Sequence, residues 1–128
     1  MCKVLIIDDD PFYHQVTKAF IKKYDSVDEH TSYTNPVNSL LDLTEAYFAS
    51  KPLPDIILLD LNMPELSGWE FLDTFSTISA LTDQRTKVYI VSSSVGQDDK
   101  DRALNYPCVK GIYSKPVSNA VFDSILVG

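Results

Sequence analysis

Four short segments of the chain are continuously apolar and rich in β-branched residues. A strand with one face in water alternates between apolar and polar residues, whereas a strand that is covered on both faces is apolar throughout. These segments therefore predict the strands of a parallel sheet that is buried on both faces. They are residues 4–7, 56–59, 88–91 and, with weaker apolar character, 109–113. A more polar strand between Val27 and Tyr33 suits only an edge of that sheet.

Segments with helical spacing of apolar residues lie between the predicted strands. One apolar stripe in each segment is the pattern of a helix packed on a sheet. The stripes are Phe12, Val16, Ala19 and Phe20; Leu40, Leu41, Thr44 and Phe48; Phe71, Leu72, Phe75 and Ile78; and Val121, Ile125 and Leu126. We expect their phenylalanines to lie in the core. Residues 98–105 contain few apolar side chains, which predicts a lightly packed and mobile helix.

Strand and helix alternate five times along the chain. This alternation predicts an α/β fold, a doubly wound (βα)5 unit with five parallel strands and helices on both faces. The length of 128 residues suits a single domain over residues 1–128. In such folds ligands bind outside the carboxyl ends of the strands.

Composition excludes several classes of function. A net charge of −7 and an isoelectric point near 4.6 disfavour direct binding to nucleic acid, which needs clustered Lys and Arg. The two cysteines, Cys2 and Cys108, have no metal-type spacing and are expected to be small buried apolar residues. The apolar run after Lys3 is too short for a signal peptide or a membrane span. We therefore expect a cytoplasmic protein that does not bind membranes.

Charged and hydroxyl side chains stand where the predicted strands end. Asp8 and Asp9 follow the first run, Asp60 follows residues 56–59, Ser92 follows residues 88–91, and Lys115 comes just after the last strand. Because the carboxyl ends of parallel strands meet at one edge of a sheet, we expect all five on the same rim.

Three carboxylates on one rim repel one another. Two unit charges about 4 Å apart interact by roughly 4 kcal/mol at an effective dielectric constant of about 20. A cation among Asp8, Asp9 and Asp60 would relieve this repulsion. Mg²⁺ prefers carboxylate oxygens and water, whereas Zn²⁺ favours His and Cys, so the cluster predicts a magnesium site.

Lys115 and Ser92 add a positive charge and a hydroxyl donor to this rim. Together they would hold the oxygens of a phosphoryl group on Asp60. Phosphoryl transfer requires mainly in-line positioning and neutralisation of charge. The Asp60 carboxylate is itself a nucleophile, so no separate general base is needed.

Four segments of the chain resemble the response regulator receiver family of two-component signalling, the CheY-like superfamily with a flavodoxin-like fold. They are VLIIDDDPF at 4–12, PDIILLDLNMPELSGWEFL at 54–72, VYIVSSS at 88–94 and GIYSKPVS at 111–118. An acid pair or a Lys-Pro alone is weak evidence, but the joint order of the motifs is highly specific. The resemblance covers essentially the whole chain. The resemblance implies that Asp60 is the phosphoacceptor, Asp9 a direct metal ligand and Asp8 a ligand largely through water. It also implies that Asn62 gives its backbone carbonyl to the metal.

The resemblance assigns the switch positions as well. Ser92 would be the hydroxyl that moves to the phosphoryl oxygen, and Lys115 would pair with Asp60 and then with the phosphate. Lys115-Pro116 would be a cis peptide bond. Many family members place an aromatic residue three positions before this lysine, where the chain has Ile112. Tyr113 follows and should face the other side of the sheet, so the usual coupling from hydroxyl to aromatic is altered.

Three residues outside the rim have more ordinary interpretations. His14 and His30 are expected to be surface residues rather than metal ligands or phosphodonors. Trp69, at the start of a helix, would either cover the edge of the core or be partly exposed to a partner. The sequence alone leaves both positions open for Trp69.

The resemblance implies a signalling switch rather than an enzyme that acts on other molecules. A histidine kinase or a histidine phosphotransfer protein would donate the phosphoryl group, and a downstream protein would bind the changed surface. Nothing remains after Val127 and Gly128 to serve as an effector, so we expect output by protein contact unless the chain is a piece of a longer protein. We expect a monomer or a weak dimer. One alternative is a magnesium-dependent phosphatase of the haloacid-dehalogenase type, but Asn62 stands where that class needs a second Asp. Another alternative is a receiver-like interaction module that takes no phosphate.

Overall fold

The structure, a computed structural model, describes residues 2–127, so Met1 and Gly128 of the predicted 1–128 domain lie outside it. Strands and helices alternate as predicted. The elements are β1 (Cys2–Ile7), α1 (Pro11–Ile21), β2 (Val27–Tyr33), α2 (Pro36–Phe48), β3 (Ile56–Leu59), α3 (Gly68–Ala80), β4 (Lys87–Ser92), α4 (Gln97–Ala103), β5 (Val109–Ser114) and α5 (Asn119–Leu126). The predicted α/β fold is confirmed.

All five strands form one parallel sheet in the order β2-β1-β3-β4-β5. Every residue of β3 is buried, as its continuous apolar sequence predicts. The polar strand β2 lies at one edge, as predicted. The strand β5 forms the other edge and is only half-buried, which explains its weaker apolar character.

Each face of the sheet carries its own apolar cluster. Alternation along β3 sends Ile57 and Leu59 into one cluster, where Phe71 and Phe75 of α3 are fully buried. The other residues of β3 enter the second cluster, which includes Phe122 of α5. The sheet is therefore covered on both sides, and the polar ends of its strands are the places left for chemistry.

Two aromatic residues that were expected in the core are exposed. Phe12 is 72% exposed and Phe48 is 78% exposed, so the expectation was wrong for both. The buried positions of α1 are His14, Thr17 and Ile21. At 3.6 residues per turn, position 12 lies on the opposite side of the helix from these three.

Smaller differences concern α4 and the cysteines. The helix α4 begins one residue earlier than predicted and ends at Ala103, which is buried, while Leu104 is 84% exposed. Cys2 and Cys108 are free thiols at the edges of the two clusters, and both are half-buried rather than buried.

Over residues 2–127, none of the helices combines the length and apolarity that a membrane crossing requires.

Gly68 begins α3 directly against the segment that carries Asp60. Its N–H donates a hydrogen bond to the Leu61 carbonyl oxygen at 2.9 Å. A Cβ atom on Gly68 would lie 2.5 Å from the Asp60 carbonyl oxygen and 2.9 Å from the Leu61 Cα. A side chain at this position would therefore push the backbone of the site away from the helix.

We expect Gly68→Ala to lower the free energy of unfolding by about 1–3 kcal/mol, because the added methyl overlaps backbone atoms that cannot move independently. Gly96→Ala is the matched control, since a Cβ at Gly96 has no neighbour within 4 Å. Its cost should be about 0.5 kcal/mol or less. Urea unfolding of both variants measures the difference, and equal losses would contradict this packing account.

Candidate functional site

Pairing between β1 and β3 brings two acidic residues to adjacent strand ends. Ile7 is the partner of Leu59 in the sheet, so Asp8 and Asp60 follow at the same level. The Asp60 N–H donates to the Ile7 carbonyl oxygen at 2.9 Å. Both side chains are buried, with residue exposures of 3% for Asp8 and 5% for Asp60. The sheet therefore forces two carboxylates together in a region that is poor in water.

Asp9 completes a cluster of three carboxylates. One oxygen from each of Asp8, Asp9 and Asp60 lies within 4.8 Å of the others. These donors are oxygens only, a set that suits a hard divalent cation such as Mg²⁺ rather than Zn²⁺. The acidic part of the predicted rim is thus assembled with a donor set of the expected chemistry.

Lys115 lies between the two buried carboxylates. Its Nζ donates to Asp8 Oδ2 at 2.6 Å and lies 3.9 Å from Asp60 Oδ2. The ion pair with Asp60 that the sequence led us to expect is present, but the shorter contact, a hydrogen bond, goes to Asp8. The Lys115 backbone N–H donates to the Ser92 carbonyl oxygen at 2.8 Å, and the Lys115-Pro116 bond is cis.

The hydroxyl of Ser92 is the remaining predicted group on the rim. Ser92 is fully buried at the end of β4 and accepts a hydrogen bond from Asn62 Nδ2 at 3.3 Å. The Asn62 backbone N–H points toward Asp60 Oδ1 at 3.5 Å. The side chain of Asn62 thus contacts the hydroxyl, a contact that sequence reasoning missed because it considered only the backbone carbonyl of this residue.

The surroundings of Asp60 disfavour its ionised form. Burial is the main cause that raises the pKa of Asp60, and the negative charge of Asp8 raises it further. The positive charge of Lys115, the Ser92 hydroxyl and the Asn62 N–H act in the opposite direction without cancelling the rise. A bound cation would favour the ionised carboxylate that nucleophilic chemistry needs.

Residues of α1 complete the back of the site. His14 was expected at the surface, but it is only 4% exposed and its Nε2 lies 2.6 Å from the Asp8 carbonyl oxygen. The ring of Tyr13 lies next to Lys115, with its centroid 4.2 Å from Nζ. Sequence reasoning missed both residues because it placed α1 on the sheet with a different rotation. His30 is exposed, as predicted.

The switch region follows the predicted alternation. Ile112 packs against the apolar cluster on one face of the sheet, and Tyr113 packs against the cluster on the other face. Trp69 is buried, stacks on Tyr106 with centroids 5.8 Å apart, and lies under the Arg102 guanidinium. Of the two positions left open for Trp69, the structure shows the one at the edge of the core.

Comparisons with known proteins agree with this geometry. The family model for the response regulator receiver domain matches residues 4–126. The chain belongs to the response regulator receiver family. The cell cycle response regulator CtrA of Brucella ovis is 35% identical over 105 residues, which are 81% of this receiver chain and 40% of that protein. The chain thus spans about 40% of the length of the curated relatives that it matches.

Solved receiver structures share the fold. A two-component response regulator from Cytophaga hutchinsonii is 30% identical with a TM-score of 0.86, covering 96% of this receiver chain and 92% of that one. The receiver domain of the histidine kinase CKI1 from Arabidopsis thaliana, complexed with Mg²⁺ and BeF3⁻, has a TM-score of 0.78 at 19% identity, covering 98% and 87%. At that identity the likeness shows the fold alone.

The raised pKa of Asp60 makes the stability of the receiver domain depend on pH. The folded state binds the Asp60 proton more tightly than the unfolded chain, whose pKa is near 3.8. The stability contributed by Asp60 is therefore complete below pH 3.8 and is lost as the pH rises through the folded-state pKa.

Without divalent metal, we expect Asp60→Asn to raise the free energy of unfolding at pH 7, because Asn carries no charge to bury. The gain should shrink toward pH 4 as Asp60 becomes protonated in the folded wild type. Urea unfolding in EDTA at both pH values measures it, with Asp25→Asn as an exposed control. A gain that is equal at both pH values, or a loss at pH 7, would contradict the assignment of a raised pKa.

Proposed function

We propose that this receiver domain accepts a phosphoryl group on Asp60 from a histidine kinase or a histidine phosphotransfer protein. The observation that carries the proposal is the convergence of Asp60 with two further carboxylates and the amine of Lys115. Membership of the family supports the signalling role, and the partners follow from that role. The phosphorylated surface would then bind a downstream protein.

Mg²⁺ is the cofactor that we propose for the carboxylate cluster. Asp9 and Asp60 would bind the ion directly, Asp8 largely through water, and Asn62 through its backbone carbonyl. The oxygen-only donor set supports this choice. The Arabidopsis receiver domain complexed with Mg²⁺ and BeF3⁻ supports it by analogy of fold. Bound Mg²⁺ supplies positive charge that neutralises phosphoryl oxygens and keeps Asp60 ionised.

The side chains around Asp60 would carry the transfer. An oxygen of ionised Asp60 attacks phosphorus in line with the leaving group; a P–O bond forms and the P–N bond to the donor histidine breaks, with the electron pair going to the imidazole. The Lys115 Nζ is only 3.9 Å from Asp60 Oδ2, so it can form an ion pair with an oxygen of the phosphoryl group on Asp60. Ser92 would donate its hydroxyl to another oxygen.

The route from Asp60 to the partner surface would differ from the commonest family pattern. Ile112 occupies the position of the usual switching aromatic residue and already packs against the core. Tyr113 points to the opposite face of the sheet. We propose that Ser92 moves on phosphorylation without a matching aromatic rotation at residue 112, so that the change reaches the surface through the segment after β4 and through α4.

Incubation with acetyl phosphate and Mg²⁺ tests the proposed function. We expect wild-type protein to gain the mass of one phosphoryl group in intact mass spectrometry, and Asp60→Asn or added EDTA to abolish the gain. Asp10→Asn is the matched control, because Asp10 is exposed and caps α1 through a bond from the Phe12 N–H that Asn can also accept. It should be labelled like wild type. Equal labelling of wild type and Asp60→Asn, or none in either, would overturn the proposal.

A further inference from the structure

We propose that Tyr13 is a positioning residue for Lys115, and that the face of its ring keeps the lysine amine between Asp8 and Asp60. The inference deepens the proposed function and rests on it. None of the sequence motifs that contribute residues to the rim includes Tyr13. The structure brings it to the rim because it lies on the first helix, immediately behind the acidic pair.

Three groups surround the amine of Lys115. Asp8 Oδ2 accepts its hydrogen bond at 2.6 Å, Asp60 Oδ2 lies at 3.9 Å, and the Tyr13 ring centroid lies at 4.2 Å. A cation within about 6 Å of the face of an aromatic ring is attracted to it, and more strongly where water is scarce. The Lys115 side chain is only 14% exposed. The ring therefore covers a side of the amine that would otherwise turn to water.

The position of the ring is fixed by the same residues that shape the site. Asp10 accepts the Phe12 N–H at 3.0 Å and its own N–H donates to Asp8 Oδ1 at 2.9 Å. His14 Nε2 lies 2.6 Å from the Asp8 carbonyl oxygen. In the sequence Tyr13 lies between these two attached residues, Phe12 and His14. Its side chain packs against the second apolar cluster, the one that includes Phe122 of α5. The first turn of α1 thus holds the ring at a set distance from Asp8.

A ring face suits a lysine that must change partners. A third carboxylate in this place would hold the amine by a charged hydrogen bond and would compete with Asp60 for it. The ring attracts the positive charge without such a bond. The amine can therefore move from Asp8 to an oxygen of the phosphoryl group on Asp60. Lysine has a long flexible stem, and without the ring its amine would spend more time in water.

The ring rather than the hydroxyl is the group required, so Tyr13→Phe and Tyr13→Leu should differ. We expect labelling by acetyl phosphate and Mg²⁺ to be about three- to ten-fold slower in Tyr13→Leu and near the wild-type rate in Tyr13→Phe. Phe12→Leu is the matched control, an aromatic residue one position away that is 72% exposed. It should leave the rate unchanged.

Two further measurements separate positioning from general packing. In a Lys115→Met background, adding Tyr13→Leu should cause no further slowing, because the group that Tyr13 positions is already absent. In NMR spectra without any phosphodonor, the Lys115 side-chain protons should show ring-current shifts in wild type and Tyr13→Phe, and these shifts should vanish in Tyr13→Leu.

The outcomes distinguish the two claims. Wild-type protein that takes up no phosphoryl group overturns the proposed function and this role of Tyr13 with it. Normal labelling of wild type combined with an unchanged rate in Tyr13→Leu overturns the inference alone. Absence of the ring-current shift, equal slowing in Tyr13→Phe, or slowing that persists in the Lys115→Met background also overturns the inference.

Discussion

Two carboxylates that would repel each other are held together by the pairing of β1 with β3, and the amine of Lys115 lies between them. Asp8 and Asp60 are both buried, so water screens their repulsion poorly. Burial and Asp8 raise the pKa of Asp60, while Lys115 opposes the rise. Asp9 adds a third carboxylate to this cluster, and Lys115 supplies a positive charge to it. Such a cluster is suited to receive a cation, which offsets the negative charge of the carboxylates. It is also suited to receive a phosphoryl group, whose negative charge Lys115 can offset.

The rest of the fold acts as the frame for this cluster. In the strand order β2-β1-β3-β4-β5, β1 and β3 are neighbours, and the sheet grows toward one edge from β1 and toward the other edge from β3. Ligands bind at such a switch point in doubly wound sheets. Apolar clusters cover both faces of the sheet, so the polar side chains of the site lie at the strand ends. Gly68 lets α3 begin within contact distance of the Asp60 backbone, and the first turn of α1 is tied to Asp8. The starts of α1 and α3 are therefore in direct contact with the backbone of Asp8 and Asp60.

The sequence predicts the sheet and its rim well, because both depend on local patterns. Continuous apolar runs indicate strands buried on both faces, and the residues that follow such runs must meet at one edge. Features that depend on how a helix is rotated, or on which of two acids a lysine approaches, were not accessible in this way. Phe12 was expected inside and His14 outside, but the reverse is observed, because α1 buries the side that carries residues 14, 17 and 21. The contact of Tyr13 with Lys115 follows from the same rotation. The preference of Lys115 for Asp8 depends on side-chain distances that no spacing encodes.

A crystal structure of the protein with Mg²⁺ and beryllofluoride, a stable mimic of a phosphoryl group, would show whether Asp60 accepts the group and whether Lys115 changes its partner. We expect a beryllofluoride group on Asp60, Mg²⁺ among the three carboxylates, and the Lys115 amine moved from Asp8 Oδ2 to a fluorine atom. Beryllofluoride bound elsewhere would contradict Asp60 as the phosphoacceptor. Beryllofluoride on Asp60 with the 2.6 Å bond from Lys115 to Asp8 intact would contradict the proposed change of partner.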